Sequence, residues 1–168
     1  QYLFYKGEMA MSKDKERTLV LGGGGITGIA WESGVLAGLI ESGVGLELAD
    51  RIIGTSAGSF VGAVLANGYD MRTYYYELNE RIDDSDHAKL SSDIYRLWQN
   101  AFIVGRDDAK LLSEHSHVLV ISPDSKSRAE IGDNIYNPNN ILKIGNAGYE
   151  QGKLLAQRIH LEFCEWVE

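Results

Sequence analysis

The sequence predicts a three-layer α/β/α domain on a mainly parallel sheet, and three observations carry that prediction. An apolar run, Thr18 to Leu21, opens directly into four glycines, Gly22 to Gly25. A second short run, Arg51 to Ile53, opens into Gly54-Thr55-Ser56-Ala57-Gly58, and stretches rich in small residues follow both turns at helical spacing. Further on, Val118-Leu119-Val120-Ile121 leads into Pro123-Asp124 and another helical stretch. Strand, helix, strand, helix at these spacings calls for right-handed crossovers and so for strands that run the same way. Ligands of such sheets bind at the C-terminal ends of the strands, where both glycine-rich turns lie.

Taken in order, Gln1 to Ala10 carry an aromatic cluster, Tyr2-Leu3-Phe4-Tyr5, ahead of Met9 and Met11. They are expected to be a non-native or disordered leader, with 11–168 as a single domain. Residues 18–68 hold the two glycine turns, and 117–168 supply a late strand and helix. Between them, Tyr75, Leu78 and Ile82 form one apolar stripe on a helix face, and Leu90, Ile94, Leu97 and Trp98 form another. Asp83-Asp84-Ser85-Asp86 between the stripes reads as a solvated linker, since the ligand spacing and glycine of a calcium loop are missing. The late strand is expected over His117 to Ser122. Gly148-Tyr149-Glu150-Gln151-Gly152 is expected to open a helix running to about Val167.

A run of four glycines carries a large entropic cost, so its use lies where backbone N–H groups approach something closely. Gly23-x-Gly25-x-x-Gly28 has the dinucleotide-binding spacing. That fold also wants an acidic residue at the end of the second strand, but Asp50 lies at its other end. A P-loop is excluded, because no Lys-Ser or Lys-Thr pair follows the glycines. Acyl transfer uses both turns at once. A G-x-S-x-G sequence between a strand and a helix is what a nucleophile elbow requires: Ser56 sits on a sharp turn that only the nearly side-chain-free Gly54 and Gly58 permit. Ser56 is therefore the candidate nucleophile. The backbone amides of Gly23, Gly24, Gly25, Ile26 and Ala57 are the candidate oxyanion hole.

Leu21-Gly22-Gly23-Gly24-Gly25-Ile26-Thr27-Gly28, Gly34-Val35-Leu36-Ala37-Gly38-Leu39 and Ile53-Gly54-Thr55-Ser56-Ala57-Gly58 together resemble the patatin-like phospholipases. The tail, with its Gly-x-x-Gln-Gly helix, is similar to bacterial members. Thr27 departs from the pattern, standing where many members carry a basic residue. The resemblance implies a serine lipid acyl hydrolase, a phospholipase or esterase, whose serine works with an Asp from an Asp-Gly-Gly or Asp-Gly-Ala motif after a later strand. No Asp in this chain precedes a Gly; Gly132-Asp133-Asn134 has the order reversed. The interval between Ser56 and Pro123 is also much shorter than the resemblance implies. The economical expectation is an incomplete domain with both ends present and a central block missing.

The general base is therefore unknown. His87, His115, His117 and His160 are possible bases near neutral pH, and Asp107-Asp108 or Asp124 possible carboxylates, each with an ordinary alternative as a solvated or capping residue. The alternative function is a catalytically inactive remnant of the family that binds lipid or a protein partner. A net charge of −8 argues against nucleic acid and against electrostatic capture by an anionic membrane, so an acyl-lipid or ester substrate, and any peripheral membrane contact, must rest on apolar surface. No metal or cofactor is expected, and the oligomeric state is open. The single Cys164 excludes an internal disulfide, reads as a buried small residue of the last helix, and suits a reducing, cytoplasmic compartment.

Overall fold

In the computed structural model of the 168-residue chain, residues 2–3, 17–81 and 118–162 are described. Strand β1 is Tyr2–Leu3 and β2 is Thr18–Leu21. Helix α1, Gly25–Glu41, and a short 3-10 turn, Leu46–Leu48, lead to β3, Arg51–Gly54. Helices α2, Ala57–Ala66, and α3, Met71–Arg81, follow. After the interval come β4, Val118–Leu119, α4, Ser125–Ile131, a second 3-10 turn, Pro138–Asn140, and the long α5, Ile141–Glu162.

The sheet order is β3-β2-β1-β4. β2 and β3 pair in parallel, with Leu21 opposite Gly54. β1 is antiparallel to both β2 and β4, so β2, β3 and β4 point the same way, as the crossover argument requires. From sequence, Tyr2 and Leu3 fall in the stretch set apart as a leader, whereas here their backbones pair within the sheet. Ladder pairing uses peptide groups rather than particular side chains, so composition gives no sign of it. The late strand is also shorter than the expected His117 to Ser122. Its described partner is only two residues long, and beyond that ladder Val120 is 46% exposed.

The core gathers around Leu19 and Leu21 of the sheet, Val35, Leu36 and Leu39 of α1, and Ile159 of α5. α1 and α5 make the most extensive helix contact, and glycine is the reason they can. A Cβ on Gly34 would overlap the carbonyl oxygen of Gly145, and one on Gly38 that of Tyr149. Reciprocally, Gly148 and Gly152 lie against the carbonyl oxygens of Trp31 and Val35. This explains why α5 begins at Ile141 and not at Gly148: glycines that resemble a helix start are interior residues of a close crossing. The fully buried Tyr75 brings α3 onto the same core and Leu78 packs against a second, smaller cluster of Ala30, Ile141 and Ile144, whereas Ile82, the second apolar stripe and Asp83 to Asp86 lie outside the described residues.

Gln151 stitches the pieces together from inside. Its Oε1 accepts hydrogen bonds from Trp31 Nε1 at 3.0 Å, Ser127 Oγ at 3.1 Å and the Asp124 amide at 3.2 Å. Its Nε2 donates to the Ser122 carbonyl at 2.7 Å. A single buried amide thereby ties α1, α5 and the segment after β4, and each of those groups would otherwise be costly to bury unpaired.

Candidate active site

β3 ends at Gly54 and α2 starts at Ala57, so Ser56 stands at the strand-to-helix junction. Its backbone has φ 52° and ψ −117°, and it is the sole non-glycine residue with positive φ among the described residues. Such a conformation costs an L-residue of order 1–3 kcal/mol and persists only where its surroundings hold it. Those surroundings are tightly specified. The Thr55 amide donates to the Leu21 carbonyl at 3.0 Å, carrying the parallel ladder one step past β3. The Gly58 amide donates to Gly22 at 2.8 Å and to Thr55 at 3.0 Å, and Ser59 Oγ caps the Gly54 carbonyl at 2.9 Å. A Cβ on Gly54 would run into the Gly58 carbonyl, and one on Gly58 into the backbone of Leu21. Both glycines of the pentapeptide are therefore steric necessities, and Ser56 itself is exposed.

The glycine loop is built against this turn. Gly22 accepts from Gly58, and a Cβ on Gly28 would stand 3.4 Å from the Ala57 Cβ, so the start of α1 abuts the start of α2. Gly25 has φ 60°, and its missing side chain leaves room for the Ile135 carbonyl, which a Cβ would meet at 2.7 Å. Thr27 explains its own identity here. Its amide donates to Ile135 at 3.1 Å and its hydroxyl to the Ile135 and Gly24 carbonyls at 3.0 and 3.2 Å, which pins the 132–137 turn over the loop. The amides of Gly23, Gly24, Gly25 and Ile26 enter no turn, loop or cap hydrogen bond among the described residues.

Asp50 lies at the opposite end of β3, where its carboxylate accepts from the Arg17 amide at 2.8 Å and the Arg17 guanidinium at 3.3 Å. The Arg17 backbone donor, above all, holds the Asp50 carboxyl below its ordinary value. It ties the strand starts together and is remote from any ribose-binding position. Of the candidate bases, Asp124 caps α4 by accepting from the Ser127 amide at 2.7 Å. His160 approaches Gly43, beyond the far end of the 17-residue α1. At 1.5 Å per residue that helix sets it about 25 Å from the glycine loop. His87, His115, His117, Asp107 and Asp108 lie outside the described residues, as does Cys164.

One residue near the loop escapes a motif-based reading. Glu32, on α1, is only 8% exposed, and burial pushes its carboxyl up from 4.5 to about 8 while the Gly22 N–H beside it pulls the other way. Its sole advance signal is a carboxylate inside an otherwise small and apolar helix, Ile29-Ala30-Trp31-Glu32-Ser33-Gly34-Val35.

The sequence model of one protein family, described as patatin-like phospholipase, matches residues 19–156 of the 168. The chain belongs to the patatin-like phospholipase family. The match spans the glycine loop, Ser56, the interval before β4 and Gln151, so the family is a lipid-hydrolase one and the α/β architecture is that of a partial patatin-like domain. Neither a comparison with curated proteins nor one with solved structures gave a match. Among the described residues no helix is long and apolar enough to cross a membrane.

Proposed function

We propose that the chain carries the serine half of a patatin-like acyl hydrolase, with Ser56 as nucleophile toward the ester carbonyl of an acyl lipid or smaller ester. The observation that carries this reading is the strained φ of Ser56 between two glycines that cannot bear a Cβ. A turn that costs free energy and exposes one hydroxyl at a strand end is what nucleophilic catalysis uses. On attack, the carbonyl oxygen gains negative charge, and the uncommitted amides of Gly23, Gly24, Gly25 and Ile26, with that of Ala57, are the donors assigned to it. Collapse of the tetrahedral adduct expels the alcohol and leaves an acyl-Ser56 for water to release.

The serine proton needs an acceptor, and none of the described candidates is assigned that role. Turnover by this chain is therefore expected to be low, whereas capture of Ser56 by a strongly electrophilic fluorophosphonate needs less help from a base. Substrate approach is assigned to apolar surface: Ile53, 46% exposed, and Phe60, 63% exposed, lie three residues before and four after Ser56. They suit peripheral contact with a neutral lipid surface better than with an anionic one, given the chain's net charge of −8. A cytoplasmic location belongs to the same proposal.

The test is fluorophosphonate labelling followed by peptide mapping. Label on Ser56, absent from Ser56→Ala, is the expected result. Gly24→Val should lower the inactivation rate constant more than probe affinity, because the loop's donors act on the transition state. An unlabelled protein that still binds lipid vesicles would replace the enzyme by a non-catalytic lipid binder.

A further inference from the structure

A buried carboxyl beside the glycine loop stands outside the proposed chemistry. Glu32 lies two turns into α1, facing inward, with Oε1 3.8 Å from the point where a Cβ of Gly22 would stand. The Gly22 N–H lies beside this carboxyl and counters the effect of burial on its acidity, while the other oxygen, Oε2, is buried and has no hydrogen-bond partner among the described residues. An unpaired buried polar atom costs free energy, so a helix interior keeps such a group at a penalty.

Gly22 is held from two sides. Its N–H lies beside the Glu32 carboxyl, and its carbonyl accepts from the Gly58 amide at 2.8 Å, on the turn that carries Ser56. A continuous chain of contacts thus runs from Glu32 through the backbone of one residue to the elbow. Gly22 is also the last residue before the four, Gly23 to Ile26, whose amides the proposed reaction uses. With no side chain to limit it, this junction would rotate freely unless both of its polar groups were anchored.

We propose that Glu32 is a positioning residue of the Ser56 site: by accepting the Gly22 N–H from within α1, it fixes where β2 gives way to the glycine loop and so aims the loop amides. This rests on the reading of Ser56 as nucleophile. Burial keeps the carboxyl neutral at ordinary pH, which suits the place, because a carboxylate there would oppose an oxyanion on the same loop.

The experiment compares wild type, Glu32→Gln and Glu32→Leu by two readouts. One is hydrogen exchange of the Gly22 amide by NMR; the other is fluorophosphonate inactivation of Ser56, resolved into a rate constant and a probe affinity. Glutamine keeps an acceptor and mimics the protonated acid, whereas leucine fills the space and accepts nothing. In Glu32→Leu, Gly22 should lose protection and the inactivation rate constant should fall by on the order of a hundredfold at nearly unchanged probe affinity. Glu32→Gln should restore most of both. A folded Glu32→Leu protein that inactivates as fast as wild type, or keeps Gly22 protected, overturns the positioning role alone. A wild type that is not labelled at all overturns the nucleophile reading and this proposal with it.

Discussion

Two sets of glycines serve this chain, and they serve it for opposite reasons. Along α1 and α5, Gly34, Gly38, Gly148 and Gly152 sit in ordinary helical backbone and matter because a facing carbonyl occupies the space of a side chain. At the loop and elbow, Gly25 adopts φ 60° and Gly54 and Gly58 clear the way for a neighbour, Ser56, that is itself strained. The first set lets two helices approach and stabilises the fold. The second holds a conformation that costs free energy and displays a hydroxyl. The difference teaches that a glycine-rich sequence has no single meaning: the same residue marks packing in one place and stored strain in another.

The comparison is tested most severely at the seam. In Gly34→Ala, the new methyl meets backbone on the facing helix, and no side chain can turn aside to admit it. The helices must separate, at a cost of about 4 kcal/mol or outright failure to fold. Urea unfolding reads this directly, and a variant within experimental error of wild type would break the seam account.

The seam was partly legible beforehand and partly misleading. Glycines at 145, 148 and 152 recur at helical spacing, but glycine is a poor helix former, so the helix is placed too late when judged by propensity alone. What overrides propensity is the partner helix, which the local sequence does not contain. The elbow was legible because its chemistry is local: strand, turn and helix follow one another over residues 51 to 66, and the strain needs only its own neighbours. β1 was illegible for the opposite reason, and so was the shortness of β4, although its strand was expected, since the extent of pairing is set by long-range backbone contacts. Glu32 gives no sign of its role in the sequence, because nothing in a linear motif says that a helical carboxylate points inward.

That carboxylate supplies the next test, a pH dependence with a definite sign. Glu32 has a folded-state value of about 8 against 4.5 when unfolded. Between those values the folded state holds a proton that the unfolded chain has lost, so rising pH favours unfolding. Its contribution is fully present below about pH 4.5, is lost progressively toward pH 8, and changes little above that. Glu32→Gln cannot ionise and should therefore gain on wild type across this window, by on the order of 4 kcal/mol at the alkaline end. Urea midpoints of the two proteins at pH 5 and pH 8.5 measure it. Parallel curves would mean that the carboxyl is not buried as described, and would remove the contrast between a strained loop and its buried support.

The smallest effect carries the sharpest sign. If the elbow stores strain, removing its cause should stabilise the protein while ending its chemistry. Ser56→Gly does this: glycine reaches positive φ without a clashing Cβ, and relief of the strain is worth of order 1–3 kcal/mol. The more flexible unfolded chain returns roughly 0.5–1 kcal/mol of that, leaving a net gain of about 1 kcal/mol. Ser56 is exposed, so the lost side chain forfeits little burial. Its carbonyl, which accepts from the Ser59 amide at 2.9 Å, is unaffected by the change. Ser56→Ala is the matched control, since alanine removes the hydroxyl but keeps the Cβ and should stay close to wild type in stability. Both variants should refuse the fluorophosphonate label, and only the glycine variant should melt higher. If Ser56→Gly instead melts below Ser56→Ala, the turn stores no strain at Ser56, and its glycines would be packing glycines like those of the helix seam.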